Sequence, residues 1–98
     1  MNLIVHPEAE FEVDEAFSFY AFKSKLIASD FLNQLESATL KLLLKPQLYP
    51  VVRSTDIRKH VMQQFPYSVV YRTTAAGDTQ ILALAHHKRR PFYWAQRL

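Results

Sequence analysis

The stretch Phe65-Pro66-Tyr67-Ser68-Val69-Val70-Tyr71-Arg72 is followed by Thr73-Thr74-Ala75-Ala76-Gly77-Asp78, and then by Thr79-Gln80-Ile81-Leu82-Ala83-Leu84-Ala85-His86-His87. In the first segment Phe65, Tyr67, Val69 and Tyr71 alternate with Pro66, Ser68, Val70 and Arg72. That period of two places successive side chains on opposite faces of a strand. In the last segment Ile81, Leu82, Ala83, Leu84 and Ala85 are apolar without interruption, the pattern of a central strand covered on both faces. The chain's one glycine, Gly77, lies between the two, where a hairpin needs positive φ. Phe65, Tyr67 and Tyr71 share one strand face and are assigned to the core.

Upstream, residues 56–62 alternate as well, with Ile57 and Val61 on one face and Arg58 and His60 on the other. Before Pro50 the period lengthens to that of a helix. Pro7 suits a first helical position, where its missing N–H costs nothing. Glu8, Glu10, Glu12, Asp14 and Glu15 then fall in the opening turns, where the helix dipole favours negative charge. Val13, Ala16, Phe17 and Tyr20 follow at helical spacing as the expected buried stripe. A second helix is predicted over residues 26–44, with Ile27, Phe31, Leu35, Ala38 and Leu42 as its stripe and Leu32 and Leu43 widening it. Pro46 ends it. The polar turn Lys23-Ser24-Lys25 makes the pair an antiparallel hairpin. Leu3-Ile4-Val5 is a short strand. The order is therefore β-α-α-β-β-β, an α+β fold with a helical hairpin packed on a small antiparallel sheet. Phe92, Tyr93 and Trp94 are placed to cover part of the open sheet face.

The 98 residues suit one domain over 1–98. An apolar content of 49 % excludes a disordered chain. The absence of cysteine excludes disulfides and thiolate metal sites. Residues 1–7 lack the basic start and apolar run of a signal peptide. The apolar run at 40–44, interrupted by Lys41, is too short to span a bilayer. A cytoplasmic location with no membrane contact is expected. Charge is unevenly spread: residues 1–52 carry four Lys/Arg and seven Asp/Glu, residues 53–98 eight and two. Two surfaces of opposite sign are implied, the basic one suited to phosphates or an acidic protein.

Three groups of residues carry a family resemblance. They are the Phe65-Pro66-Tyr67 strand with its Val69-Val70-Tyr71-Arg72 continuation, the ending Ala85-His86-His87-Lys88-Arg89-Arg90-Pro91-Phe92-Tyr93-Trp94, and the helix start Pro7-Glu8-Ala9-Glu10 with the exit Pro46 and Tyr49-Pro50. In this ordered set the chain resembles the RelE/ParE toxins of type II toxin–antitoxin systems, and within them the ParE-like branch. The resemblance implies the same β-α-α-β-β-β fold. It also implies a cognate ParD-like antitoxin that wraps a disordered segment around the toxin in a hetero-oligomer. Two targets follow from its two branches: DNA gyrase for ParE-like toxins, mRNA on the ribosome for RelE-like endoribonucleases.

RNA cleavage by a 2′-hydroxyl needs a base, an acid and cations on the phosphate. His86 or His87 is a candidate base, Tyr93 a candidate acid, and Arg89 or Arg90 a phosphate clamp. Against this, Ser68 stands where the RelE branch has a basic residue, and before the first hairpin strand only Arg53, Arg58 and Lys59 replace its clustered lysines. The gyrase branch is favoured, with no cofactor or metal expected. The candidate surface for target or antitoxin comprises Arg58, Lys59, Arg72, Lys88, Arg89, Arg90, Tyr93 and Trp94. Each has a structural reading beside the functional one. A strand-end histidine is more often hydrogen-bonded than catalytic, and Trp94 suits a plug over the sheet. Arg58 and Arg72 are assigned to outward faces. Phe17, Tyr20, Phe22 and Phe31 are read as helical core or as antitoxin-facing.

Overall fold

The computed structural model describes residues 2–52 and 55–98. Its elements run β1 (Leu3–Val5), α1 (Pro7–Lys23), α2 (Lys25–Leu44), β2 (Arg58–Val61), β3 (Tyr67–Thr73) and β4 (Thr79–His86), followed by a 3-10 helix, Tyr93–Arg97. Arg53 lies outside the described residues. The order is the one read from the periodicity. β2, β3 and β4 form an antiparallel meander. β1 joins it in parallel, Leu3 beside Thr79 and Val5 beside Ile81, so the sheet is mixed, in the order β1-β4-β3-β2. No described helix is long and apolar enough to cross a membrane.

Local chemistry sets the boundaries. Pro7 opens α1, and the His6 ring Nδ1 accepts the Glu8 N–H at 3.1 Å. The expected turn narrows to Ser24, which serves both helices. Its N–H donates to the Tyr20 carbonyl, and its Oγ accepts the Ile27 N–H, a serine N-cap. Gly77 has φ +88°, in the β3–β4 turn closed by Thr74 and Asp78. A bulge follows. Val70 faces Ala83 but Tyr71 faces Ile81. Leu82 is thus the extra residue, and it shares one core with Ala83.

The sheet separates two cores. On the helix side Ala9, Ala16, Phe31, Leu42, Tyr67, Val69 and Tyr71 pack together. Phe31 is fully buried, its ring 5.3 Å from Phe65, 5.4 Å from Tyr20 and 5.7 Å from Tyr67. On the far side Ile57, Val70, Leu82 and Ala83 are covered by Trp94, the plug expected of it.

Two helical stripes are narrower than expected. Phe17 and Ile27, assigned to the core, are 37 % and 42 % exposed, and Leu32 is exposed as well. The fully buried positions are instead dominated by alanine: Ala9, Ala16, Ala28 and Ala38. Small residues let the helices approach closely, so only a thin seam is sealed and flanking large side chains stay at its rim. Phe22 is 93 % exposed, and Phe19 and Leu26 are exposed beside it. The two readings kept for the helix aromatics therefore divide, with Phe31 in the core and Phe22 outside it.

Phe31→Ala is expected to cost about 3–5 kcal/mol, and Phe22→Ala less than about 0.5 kcal/mol. Urea unfolding of the two variants checks the contrast.

Candidate functional site

The end of β4 and the chain after it form the candidate surface. β4 stops at His86, and His87 to Arg89 turn, with the Arg89 N–H on the His86 carbonyl at 2.9 Å. Pro91 and Phe92 then redirect the chain. Phe92 takes a left-handed conformation at φ +61°, rare for a residue with a Cβ, and its ring rests 5.6 Å from that of Trp94. The following 3-10 helix seats Trp94, 5 % exposed, on the far face of the sheet.

His86 and His87 diverge, as the strand period requires. The His86 ring stands 5.1 Å from Tyr67 on the helix side, and its Nδ1 accepts the Lys88 N–H at 3.0 Å. His87 lies on the other side, its Nε2 3.1 Å from the hydroxyl of buried Ser68. A cleft of about 310 Å³ on the far face is lined by Lys59, Ser68, His87, Arg89, Arg90 and Trp94, among others. A second groove, about 510 Å³, opens on the helix side between Glu15, Tyr20, Tyr67 and His86. Arg89 borders both. Lys88, Arg89 and Arg90 are exposed.

Tyr93 is less available than its sequence context suggested. Its hydroxyl donates to Glu12 Oε2 at 2.5 Å, and its ring carries the Arg89 guanidinium at 3.9 Å. Burial, and then the bond to the Glu12 carboxylate, hold its phenol far above the usual tyrosine range. Glu12, 9 % exposed, is the centre of this cluster. Oε1 accepts the Leu84 N–H at 3.1 Å and Arg97 Nη1 at 2.8 Å, and Oε2 accepts Arg97 Nη2 at 3.0 Å. Arg97 Nη1 also donates to the Leu82 carbonyl at 2.9 Å. Both carboxylate oxygens of Glu12 and both terminal nitrogens of Arg97 thus have partners of opposite character, the condition under which a charge tolerates burial.

Two of the candidate arginines stand elsewhere. Arg58, assigned to an outward face, lies on the helix side, opposite Tyr71 in the sheet. Its Nη1 donates to the Tyr49 carbonyl at 2.6 Å, and the Tyr71 hydroxyl donates to the Pro46 carbonyl at 2.7 Å. The loop after α2 folds over that face, so Arg58 pins the loop. Arg72 does point away from the helices, with Nε on Gln80 at 2.9 Å. It sits at the hairpin end of β3, five residues from Tyr67 and so about 16 Å along the strand. Lys59, one residue from Arg58 and opposite Val70, does reach the far-face cleft.

Glu12 and Arg97 were missed by the sequence reading. A signal existed for Glu12, which lies three and four residues from Ala9 and Ala16 on the buried stripe. No signal marks Arg97.

The family model described as "ParE toxin of type II toxin-antitoxin system, parDE" matches residues 3–91. No curated protein matches the chain. Among solved structures, the chain is similar to one described as the chromosomal ParDE TA system from P. aeruginosa. The TM-score is 0.73 at 17 % identity, covering 88 % of this chain and 95 % of that one. At that identity the likeness is one of fold.

At the base of the site, burial, the Tyr20 hydroxyl and the Glu15 carboxylate push Tyr67 up to about 12. The unfolded chain releases this proton near its ordinary value of 10.0 while the folded chain keeps it. Stability is therefore expected to fall as pH rises from about 10 to about 12, where the unfolded state binds fewer protons. Denaturation at stepped alkaline pH checks this, with a shallower fall expected for Tyr67→Phe.

Proposed function

Because this chain belongs to the ParE toxin family of type II toxin–antitoxin systems, we propose that it inhibits growth by contact with DNA gyrase and its DNA, without catalysing a reaction itself. The observation that carries the reading is the state of the groups a nuclease would use. The candidate acid, Tyr93, spends its hydroxyl on buried Glu12. His86 accepts a backbone N–H. Ser68 stands where RelE-like enzymes have a basic residue. What remains outward is mainly charge, Lys88, Arg89 and Arg90 on a turn with Lys59 beside them, and one candidate base, His87, without its acid. Such a surface suits a phosphate backbone or an acidic protein face.

The antidote in this reading is a cognate ParD-like antitoxin with acidic and apolar groups, folding as it binds. Its acidic groups meet the same basic turn, and its apolar groups cover the exposed Phe19, Phe22 and Leu26. One observation favours the ribosome-dependent endoribonuclease instead: His87 lies 3.1 Å from the Ser68 hydroxyl, in a cleft that Lys59 and Arg89 also line.

Induction without antitoxin separates the two. Double-strand DNA breaks with intact transcripts are expected. Transcripts cut within translated frames, with unbroken DNA, would overturn the gyrase reading. The folded double variant Arg89→Ala/Arg90→Ala is expected to lose toxicity by more than about tenfold, the size of loss that follows removal of two charged contacts, and colony counts after induction measure it.

A further inference from the structure

An exposed arginine ordinarily spreads over many rotamers, and that freedom is lost when it engages a partner. Arg89 is held at both ends. Its backbone N–H is fixed on the His86 carbonyl at 2.9 Å, and its guanidinium lies 3.9 Å from the centre of the Tyr93 ring. The ring is itself anchored at its far end, by the hydroxyl on Glu12 Oε2. Glu12 in turn is fixed by the Leu84 N–H of β4 and by both terminal nitrogens of Arg97. A continuous relay thus runs from the backbone of the central strand, through Glu12 and the Tyr93 ring, to an arginine at the surface. Replacing a buried ion pair by apolar groups is often neutral for stability, so stability alone does not account for the pair.

We propose that Glu12 is a positioning residue for Arg89: acting through Tyr93, it sets the direction in which this arginine is presented to the target. The consequence for toxicity rests on the gyrase reading above, whereas the relay itself does not.

The test uses the full chain. The Arg89 Nε–Hε resonance is followed by NMR in the wild type, Glu12→Gln and Tyr93→Phe. Tyr93→Phe keeps the ring and the Glu12–Arg97 pair and removes only the hydroxyl tie, so it decides the matter even if Glu12→Gln fails to fold. The Arg89 signal, displaced by the ring in the wild type, is expected to move towards that of a solvated arginine in both variants. Gyrase–DNA affinity is then measured for each variant with and without Arg89→Ala. Each variant alone is expected to weaken binding about tenfold, and to add nothing once Arg89 is alanine, as for residues acting in one chain. An Arg89 resonance unmoved in folded Tyr93→Phe overturns the proposal, as do losses that multiply with Arg89→Ala. If the wild type does not bind gyrase, the target reading has failed, and the resonance alone decides the positioning role.

Discussion

Strand β4 must be covered on both faces and paired along both edges, and the rest of the molecule is arranged to meet that demand. β3 runs along one edge. On the other, β1 is three residues long and stops opposite Ile81. Beyond it the Leu82 carbonyl and Leu84 N–H need partners, since an unpaired buried peptide group costs as much as a lost hydrogen bond. Arg97 donates to the first and Glu12 accepts from the second. Two side chains thus finish the edge that a longer strand would have covered. The faces are met by the helical hairpin on one side and by Trp94 on the other. Closing the edge also fastens the 3-10 helix to α1, with the basic turn lying between β4 and that helix.

Much of this was legible in the sequence, because strand and helix periods are local. Phe65 to Arg72 announces its two faces by alternation. The unbroken run from Ile81 to Ala85 announces a strand buried on both. Gly77 and Pro46 mark places where the backbone has few alternatives. The resemblance carried by 65–72 and 85–94 led to the same order of elements. What was not legible depends on distance or on the path of a loop. The Glu12–Arg97 pair joins residues 85 positions apart, and nothing near either one signals the other. Five acidic residues in the first turns of α1 suit a helix dipole equally well, which hid the one that turns inward. Arg58 was given the wrong side because its face depends on where residues 46–50 travel. Phe17 and Ile27 looked like core because apolar spacing does not reveal how closely alanines will draw two helices to the sheet.

The candidate site divides along the same line. The basic run 88–90 and the aromatic pair after it were visible as a cluster, and Lys59, His87, Arg89, Arg90, Tyr93 and Trp94 do meet around one cleft. Their states were not visible. A tyrosine that looks like a proton donor in sequence is engaged with a buried carboxylate in the fold. The acidic and basic halves, read as two separate surfaces, are also stitched together by one of their opposite charges.

The order of synthesis gives that stitch a further meaning. Glu12 is synthesised before β4, and its partner at position 97 after it. Until Arg97 emerges, the nascent chain has an unfinished sheet border at the Leu82 carbonyl. A chain cut before Arg97 would retain both helices and the whole meander but not the seal. The sheet border is thus closed only after β4 has been made, by a residue that follows it in the chain.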